Sequence, residues 1–309
     1  MTERQLTSAG RVAALAPPID SSVGDFFVLL KPRVMSLVVF TGFTGIMLAP
    51  GNIHPIIAGI AVLCIAAATG ASGALNMWYE RDLDSKMQRT KDRPLPAGRM
   101  QPETALVFGS VVAGGSVIVM GLGVNWSAAF LLTVAIFFYV FVYTIWLKRK
   151  TPQNIVIGGA AGAFPPMIGW AAVSGDISVG GIVLFFLIFV WTPPHFWALA
   201  LYKSKDYESA GIPMLPVVSG KEETKRQVLL YTIVLLPVSM LPWLIGIATT
   251  FWAAFAGAMG VIFVILAIRL WFDQTDCTAK RMFRFSMLYL TFLFATLILD
   301  SVLVSRFII

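Results

Sequence analysis

The chain has 309 residues, of which 58% are hydrophobic and only 13% charged, with a net charge of +7 and a mean hydropathy of +0.81. A soluble domain carries about 25% charged residues, so there is too little polar surface here to coat a water-soluble globule, and the bilayer must do part of the solvating. The positive balance does not point to nucleic acid, because the basic residues follow the loops of a membrane topology rather than gathering in one patch.

The first 25 residues are rich in Ser, Ala and Pro and mixed in charge. They read as a flexible cytosolic arm, followed by a single transmembrane domain over 26–309. No apolar stretch of signal-peptide type precedes the first long apolar run. The two cysteines, Cys64 in an apolar run and Cys277 in a polar loop, are not expected to pair.

A spanning helix needs about 20 mostly apolar residues, and about nine stretches qualify. They lie near 28–49, 55–79, 104–124, 127–147, 154–174, 178–202, 228–248, 250–271 and 284–305. The expected fold class is therefore an all-α integral membrane protein, with its helices around a central cavity. With the N-terminus in the cytoplasm and the C-terminus outside, every Lys and Arg except Arg306 falls on the cytoplasmic side. The long cytoplasmic loops, 80–103 and 203–227, hold most of the loop acids, and long loops in compact domains are usually functional.

The second stretch ends in Asn76-Met77-Trp78-Tyr79-Glu80-Arg81-Asp82-Leu83-Asp84. Asn76, Glu80 and Asp84 are spaced i, i+4, i+8, drifting only about 80° around a helix, so they share one face. Two carboxylates and an amide there make an oxygen-rich site suited to Mg²⁺, which takes one or two carboxylates and bridges to phosphate oxygens. Arg89, Lys91 and Arg93 follow, and arginines suit bidentate phosphate recognition. Acids then bases at this separation fit a metal–diphosphate better than a bare anion. The alternative is an ordinary charged loop that only sets topology.

The next cytoplasmic turn carries Lys148 and Arg149, which could reach a phosphate or serve as topology signals. Pro165-Pro166 and Trp170 suggest a bent, cavity-lining fifth helix. The sixth stretch ends in Trp191-Thr192-Pro193-Pro194-His195, and the proline pair is expected to kink or break the helix. His195 lies about 10 Å inside the cytoplasmic boundary. It is either bonded to backbone freed by the prolines or placed to meet substrate or carry a proton. Beyond it, Asp206 and Glu208 could supply a second metal cluster, with Lys203 and Lys205 beside the phosphates. Asp300, near the outer interface, reads as structural.

Five stretches together, Asn76 to Asp84, Arg89 to Pro94, Leu147 to Ile155, Pro194 to Trp197 and Asp206 to Pro216, resemble the UbiA-type intramembrane prenyltransferase superfamily. The stretches around His195 and Asp206 are most similar to its haem-farnesylating branch. The likeness runs from about Leu29 to the ninth stretch. It implies Mg²⁺ as cofactor, farnesyl diphosphate and haem B as substrates, and haem O as the product for terminal oxidase assembly. It places Asn76, Glu80 and Asp84 on the first metal motif and Asp206 at the second. Together with the reading of the residues, this gives Asn76, Glu80, Asp84 and His195 as candidate catalytic residues, Glu80, Asp84 and Asp206 as metal ligands, and Arg89, Lys91, Arg93, Lys148 and Lys203 as the diphosphate contacts. The lack of a clear transit peptide favours a bacterial plasma (inner) membrane over the mitochondrial inner membrane, and contact with haem A synthase or the oxidase assembly machinery is expected.

Glu80 stands where the superfamily usually has Asp. Lys203 and Tyr207 stand about where hydroxybenzoate-using relatives have two acids, which argues against that branch. Tyr143 or Trp78 could face a farnesyl cation. Prenylation of an aromatic quinone precursor is the alternative within the enzyme class. A secondary transporter is the alternative outside it, but it would place acids near the midplane rather than at the cytoplasmic edge.

Overall fold

A computed structural model describes residues 21–307. Most of the expected N-terminal arm, with Arg4 and Arg11, lies outside the described residues. Those residues contain helices and no strand. In lipid this follows from the backbone, whose polar groups must be satisfied within each segment.

The helices are α1 Val23–Leu29, α2 Pro32–Leu48, α3 Pro55–Tyr79, α4 Arg81–Asp84, α5 Pro102–Gly123 and α6 Trp126–Leu147. Then come α7 Asn154–Ser174, α8 Val179–Tyr202, α9 Ser204–Ser209, α10 Leu215–Val218 and α11 Gly220–Ser239, followed by α12 Leu241–Leu244, α13 Thr250–Phe272 and α14 Cys277–Phe307. Among the described residues, eight spans are long and apolar enough to cross a membrane, with α11 and α12 counted as one. The first expected span, α2, is apolar but shorter, at 17 residues.

The seventh and ninth spans begin earlier than hydropathy places them, at Gly220 and Cys277 rather than near 228 and 284. Their opening turns are charged, through Lys221 to Arg226 and Lys280 to Arg284. Hydropathy marks what faces lipid, whereas helix continues into water.

α7 and α8 form the centre. Their apolar windows are 78% and 61% buried, against 28–44% for the other spans. α2 and α6 lie on α7, while α11 and α14 lie on α8. Large apolar side chains face outward: Leu122, Phe251 and Phe272 are 74–76% exposed. A surface of that kind belongs against lipid rather than water.

Of the kink or break expected at Pro193-Pro194, the break does not occur. α7 runs continuously through Pro165 and Pro166, and α8 through Pro193 and Pro194. Proline is tolerated in a spanning helix when neighbours hold its shape, and these are the two most enclosed helices.

α2 crosses α7 with the backbones touching. A Cβ added at Gly45 would sit 2.0 Å from the Pro166 carbonyl oxygen, and one at Gly169 would sit 2.0 Å from that of Gly42. Such small-residue contacts let spanning helices approach closely. Asp300 of α14 accepts hydrogen bonds from the Thr249 N–H (2.7 Å) and hydroxyl. Thr249 is itself the N-cap of α13, which confirms a structural role for Asp300.

Candidate active site

α3 ends at Tyr79, yet its hydrogen-bond ladder continues across the turn into α4. The Glu80 N–H donates to Asn76 O at 2.9 Å, and the Asp84 N–H to Glu80 O at 2.8 Å. The i, i+4, i+8 face expected from sequence is thereby preserved. All three side chains are buried, at 3%, 2% and 4% exposure for Asn76, Glu80 and Asp84. Two carboxylates at that depth need compensating charge.

Compensation arrives from three other segments. Lys148, just beyond α6, donates to Glu80 Oε2. Arg93 Nη1 lies 2.7 Å from Asp84 Oδ2. Lys31, at the N-cap of α2, donates from Nζ to Asn76 Oδ1 at 2.9 Å. Asn76 Nδ2 in turn donates to Thr144 Oγ1 at 3.2 Å. Lys31 holds a left-handed backbone, φ 52° and ψ 56°. A non-glycine residue there costs of order 1–3 kcal/mol and persists where surroundings enforce it, often at a functional site.

The last part of α6, Phe138–Leu147, is wound as a π-helix. Its wider turn shows in the Lys148 N–H donating to Tyr143 O at 2.9 Å and the Thr144 hydroxyl to Tyr139 O at 2.9 Å. π-Turns recur at functional sites because they re-aim side chains. Here the winding delivers Thr144 to Asn76 and Lys148 to Glu80. Tyr143 lies under Lys148, with Nζ 5.7 Å from the ring centre, and packs at Gly158 of α7, where a Cβ would meet the ring at 2.2 Å. The other aromatic candidate, Trp78, packs instead with the apolar cluster around Leu29 and Met77.

Asp82 points away from this face, as its offset requires. It is exposed and takes both Arg149 nitrogens, at 3.0 and 2.8 Å. Partial burial pushes its carboxyl up, but the Arg149 fork outweighs this and holds it below the usual carboxylate value. This pair fastens the end of α6 to α4 from the water side.

The residues fit a divalent cation. Glu80 Oε1 is fully enclosed and has no hydrogen-bond partner. An unmet carboxylate oxygen in the interior costs about 1–3 kcal/mol or more, and a hard cation with oxygen preference is the partner that satisfies it. Asp84 and the Asn76 amide complete a donor set on the same face.

The second constellation is not gathered into this site. Among the described residues, no three His, Cys, Asp or Glu side chains form a group able to hold a metal. Asp206, on α9, faces Lys203 at 3.9 Å, and Lys205 and Glu208 are exposed. Arg89 and Lys91 are exposed in the loop after α4, with no ion pair among the described residues.

His195 is buried inside α8, at 8% exposure. Its ring is stacked between Trp191 (4.4 Å, 19°) and Phe283 of α14 (4.8 Å, 25°). Nδ1 lies 2.6 Å from Ser286 Oγ. Sequence reasoning missed Lys31, Thr144 and Ser286 as members of these sites. Each enters from a distant segment with no periodic signal of its own; the one clue was Lys31 directly before Pro32 at a span boundary.

Residues 38–293 match the UbiA prenyltransferase family. The chain is 54% identical to the protoheme IX farnesyltransferase of Parvibaculum lavamentivorans, over 98% of this chain and 96% of that one. It is 52% identical to the protein of the same name from Brucella anthropi, over 97% of each. Among solved structures, a digeranylgeranylglyceryl phosphate synthase superposes with a TM-score of 0.76 at 14% identity, over 90% of this chain and 98% of that chain. A UbiA homologue from Archaeoglobus fulgidus, bound to DMAPP and Mg²⁺, gives 0.62 at 15%, over 88% and 99%.

Proposed function

Since the chain belongs to the UbiA prenyltransferase family, we propose that it transfers the farnesyl group of farnesyl diphosphate to a vinyl group of haem B, giving haem O. The observation that carries this is the buried Glu80–Asp84 face with its unpaired Glu80 oxygen, ringed by cations from three segments. The near-full-length likeness to proteins named protoheme IX farnesyltransferase supplies the acceptor.

Glu80, Asp84 and the Asn76 amide would hold Mg²⁺, which would supply charge neutralisation for the departing diphosphate oxygens. Lys148 and Arg93 are already committed to this face and present N–H donors beside it. Arg89 and Lys91, free in the adjoining loop, close over the diphosphate from the water side, and Lys203 joins them. As the allylic C–O bond breaks, its electron pair departs with the diphosphate, and Lys148 and Arg93, already fixed on this face, stabilise the charge without reorganising. Tyr143 offers its ring to the allylic cation. The haem vinyl group forms the new C–C bond, and water captures the resulting cation and loses a proton, leaving a hydroxyethylfarnesyl chain. The enclosing helices keep water from the first cation.

This chemistry belongs at the cytoplasmic face of a bacterial plasma membrane, with the N-terminus inside. The product serves the haem A synthase or terminal oxidase assembly machinery. Incubating membranes with farnesyl diphosphate and either haem B or hydroxybenzoate, with mass spectrometry of the products, tests the reading. Farnesylated haem is expected. Prenylated hydroxybenzoate alone, or uptake without covalent product, would overturn it.

A further inference from the structure

His195 and Trp191 are one helical turn apart on α8, and both meet Ser286 of α14. Trp191 Nε1 donates to the Ser286 carbonyl oxygen at 2.9 Å, and His195 Nδ1 lies 2.6 Å from the Ser286 hydroxyl. That hydroxyl has one proton, and both short contacts are hydrogen bonds at once only when Ser286 Oγ donates it to Phe283 O, 2.7 Å away. Toward His195 the oxygen can therefore only accept. Nδ1 must carry the imidazole proton, and Nε2 of the neutral ring must hold a lone pair. Among the described residues Nε2 has no hydrogen-bond partner. Trp191 on one side of the ring and Phe283 on the other fix its rotation, so the lone pair has one direction.

We infer that Ser286 is a positioning residue for the acceptor substrate: it fixes His195 as the Nδ1–H tautomer and so presents Nε2 as a ligand to the iron of the substrate haem. The inference rests on the haem-farnesylation reading. Metal-binding histidines characteristically donate their other N–H to an oxygen, which fixes tautomer and ring orientation and raises ligand basicity. Here that oxygen is a serine hydroxyl whose own proton is tied back into α14. The proline pair just before His195 does not break α8, so Nε2 is held on a rigid element rather than on a loop.

The test is titration of ferric haem B into the purified full chain in detergent, followed by Soret absorption, with farnesyl diphosphate binding measured on the same preparations. The unsubstituted chain is expected to give a nitrogen-ligated haem spectrum, and His195→Ala to lose it. Ser286→Ala keeps the carbonyl that receives Trp191, and should weaken haem binding by about 10- to 100-fold. Ser286→Thr, which restores the hydroxyl, should recover it to within about threefold. Farnesyl diphosphate binding should be unchanged throughout, because the residues proposed to hold it lie at the ends of α3, α4 and α6 and in the loops after α4 and α8, and none of them is bonded to His195 or Ser286. If Ser286→Ala fails to fold, as loss of farnesyl diphosphate binding would show, Ser286→Cys, of similar size with a weak acceptor, takes its place. No haem binding by the unsubstituted chain would overturn the haem reading itself. Haem bound with the same spectrum and affinity in Ser286→Ala, or an unchanged spectrum in His195→Ala, would overturn this inference and leave that reading standing.

Discussion

Lys148 Nζ is hydrogen-bonded to Glu80 Oε2, while Oε1 of the same carboxylate is enclosed and unpaired. One half of the group is thus neutralised by the protein, and the other half is left for a cation the protein does not itself supply. The consequences of this division can be measured.

Glu80→Gln and Asp84→Ala should each lower farnesyl transfer by at least about 10²-fold, since each removes charge from the cation-holding face. Product yield and the amount of protein inserted in membranes are measured together. Near-normal turnover in correctly inserted Asp84→Ala would remove this face from the mechanism.

Chelation should stop turnover in the unsubstituted enzyme, and Mg²⁺ should restore it. With Glu80→Gln the Mg²⁺ concentration giving half-maximal rate should rise, because an amide is the poorer ligand for a hard cation. Full activity in excess chelator would show that Glu80 Oε1 has some other partner.

Arg93 is tied to Asp84, whereas Arg89 is exposed and outside any ion pair among the described residues. Arg93→Ala should cost about 10²-fold in turnover, or roughly 2.7 kcal/mol of transition-state stabilisation, together with some stability. Arg89→Ala should impair turnover while leaving the melting temperature unchanged, since surface substitutions stay within about 0.5 kcal/mol. Unaltered kinetics in both variants would return this loop to a purely topological role.

Gly169→Ala and Gly45→Ala should each lower the melting temperature in detergent sharply, because the new Cβ would fall 2.0 Å from a backbone carbonyl that cannot rotate away. Gly114→Ala on α5, where nothing lies within 4 Å, is the matched control and should fold normally. Equal melting temperatures for Gly169→Ala and Gly114→Ala would mean that α2 and α7 are not in backbone contact.

What could be read in the sequence is what repeats at a fixed spacing. Asn76, Glu80 and Asp84 were legible because hydrogen bonding to the fourth residue survives the turn at Glu80. The spans were legible as hydropathy, but their ends were not, because the first turns of α11 and α14 are helical and charged at once. At Pro193-Pro194 a local rule allows a break, and α8 stays continuous there because neighbouring helices hold it. Lys31, Thr144 and Ser286 had no pattern to betray them. Thr144 in particular depends on the π-winding of α6, which rotates every side chain beyond Phe138 relative to an ordinary helix.

The touching backbones of α2 and α7 also bear on traffic. A lateral gate opens where side chains can swing aside. At Gly45 and Gly169 there is no side chain to move, only main chain against main chain. That seam is welded shut. A prenyl tail or a porphyrin arriving from the bilayer is therefore expected to pass between some other pair of helices.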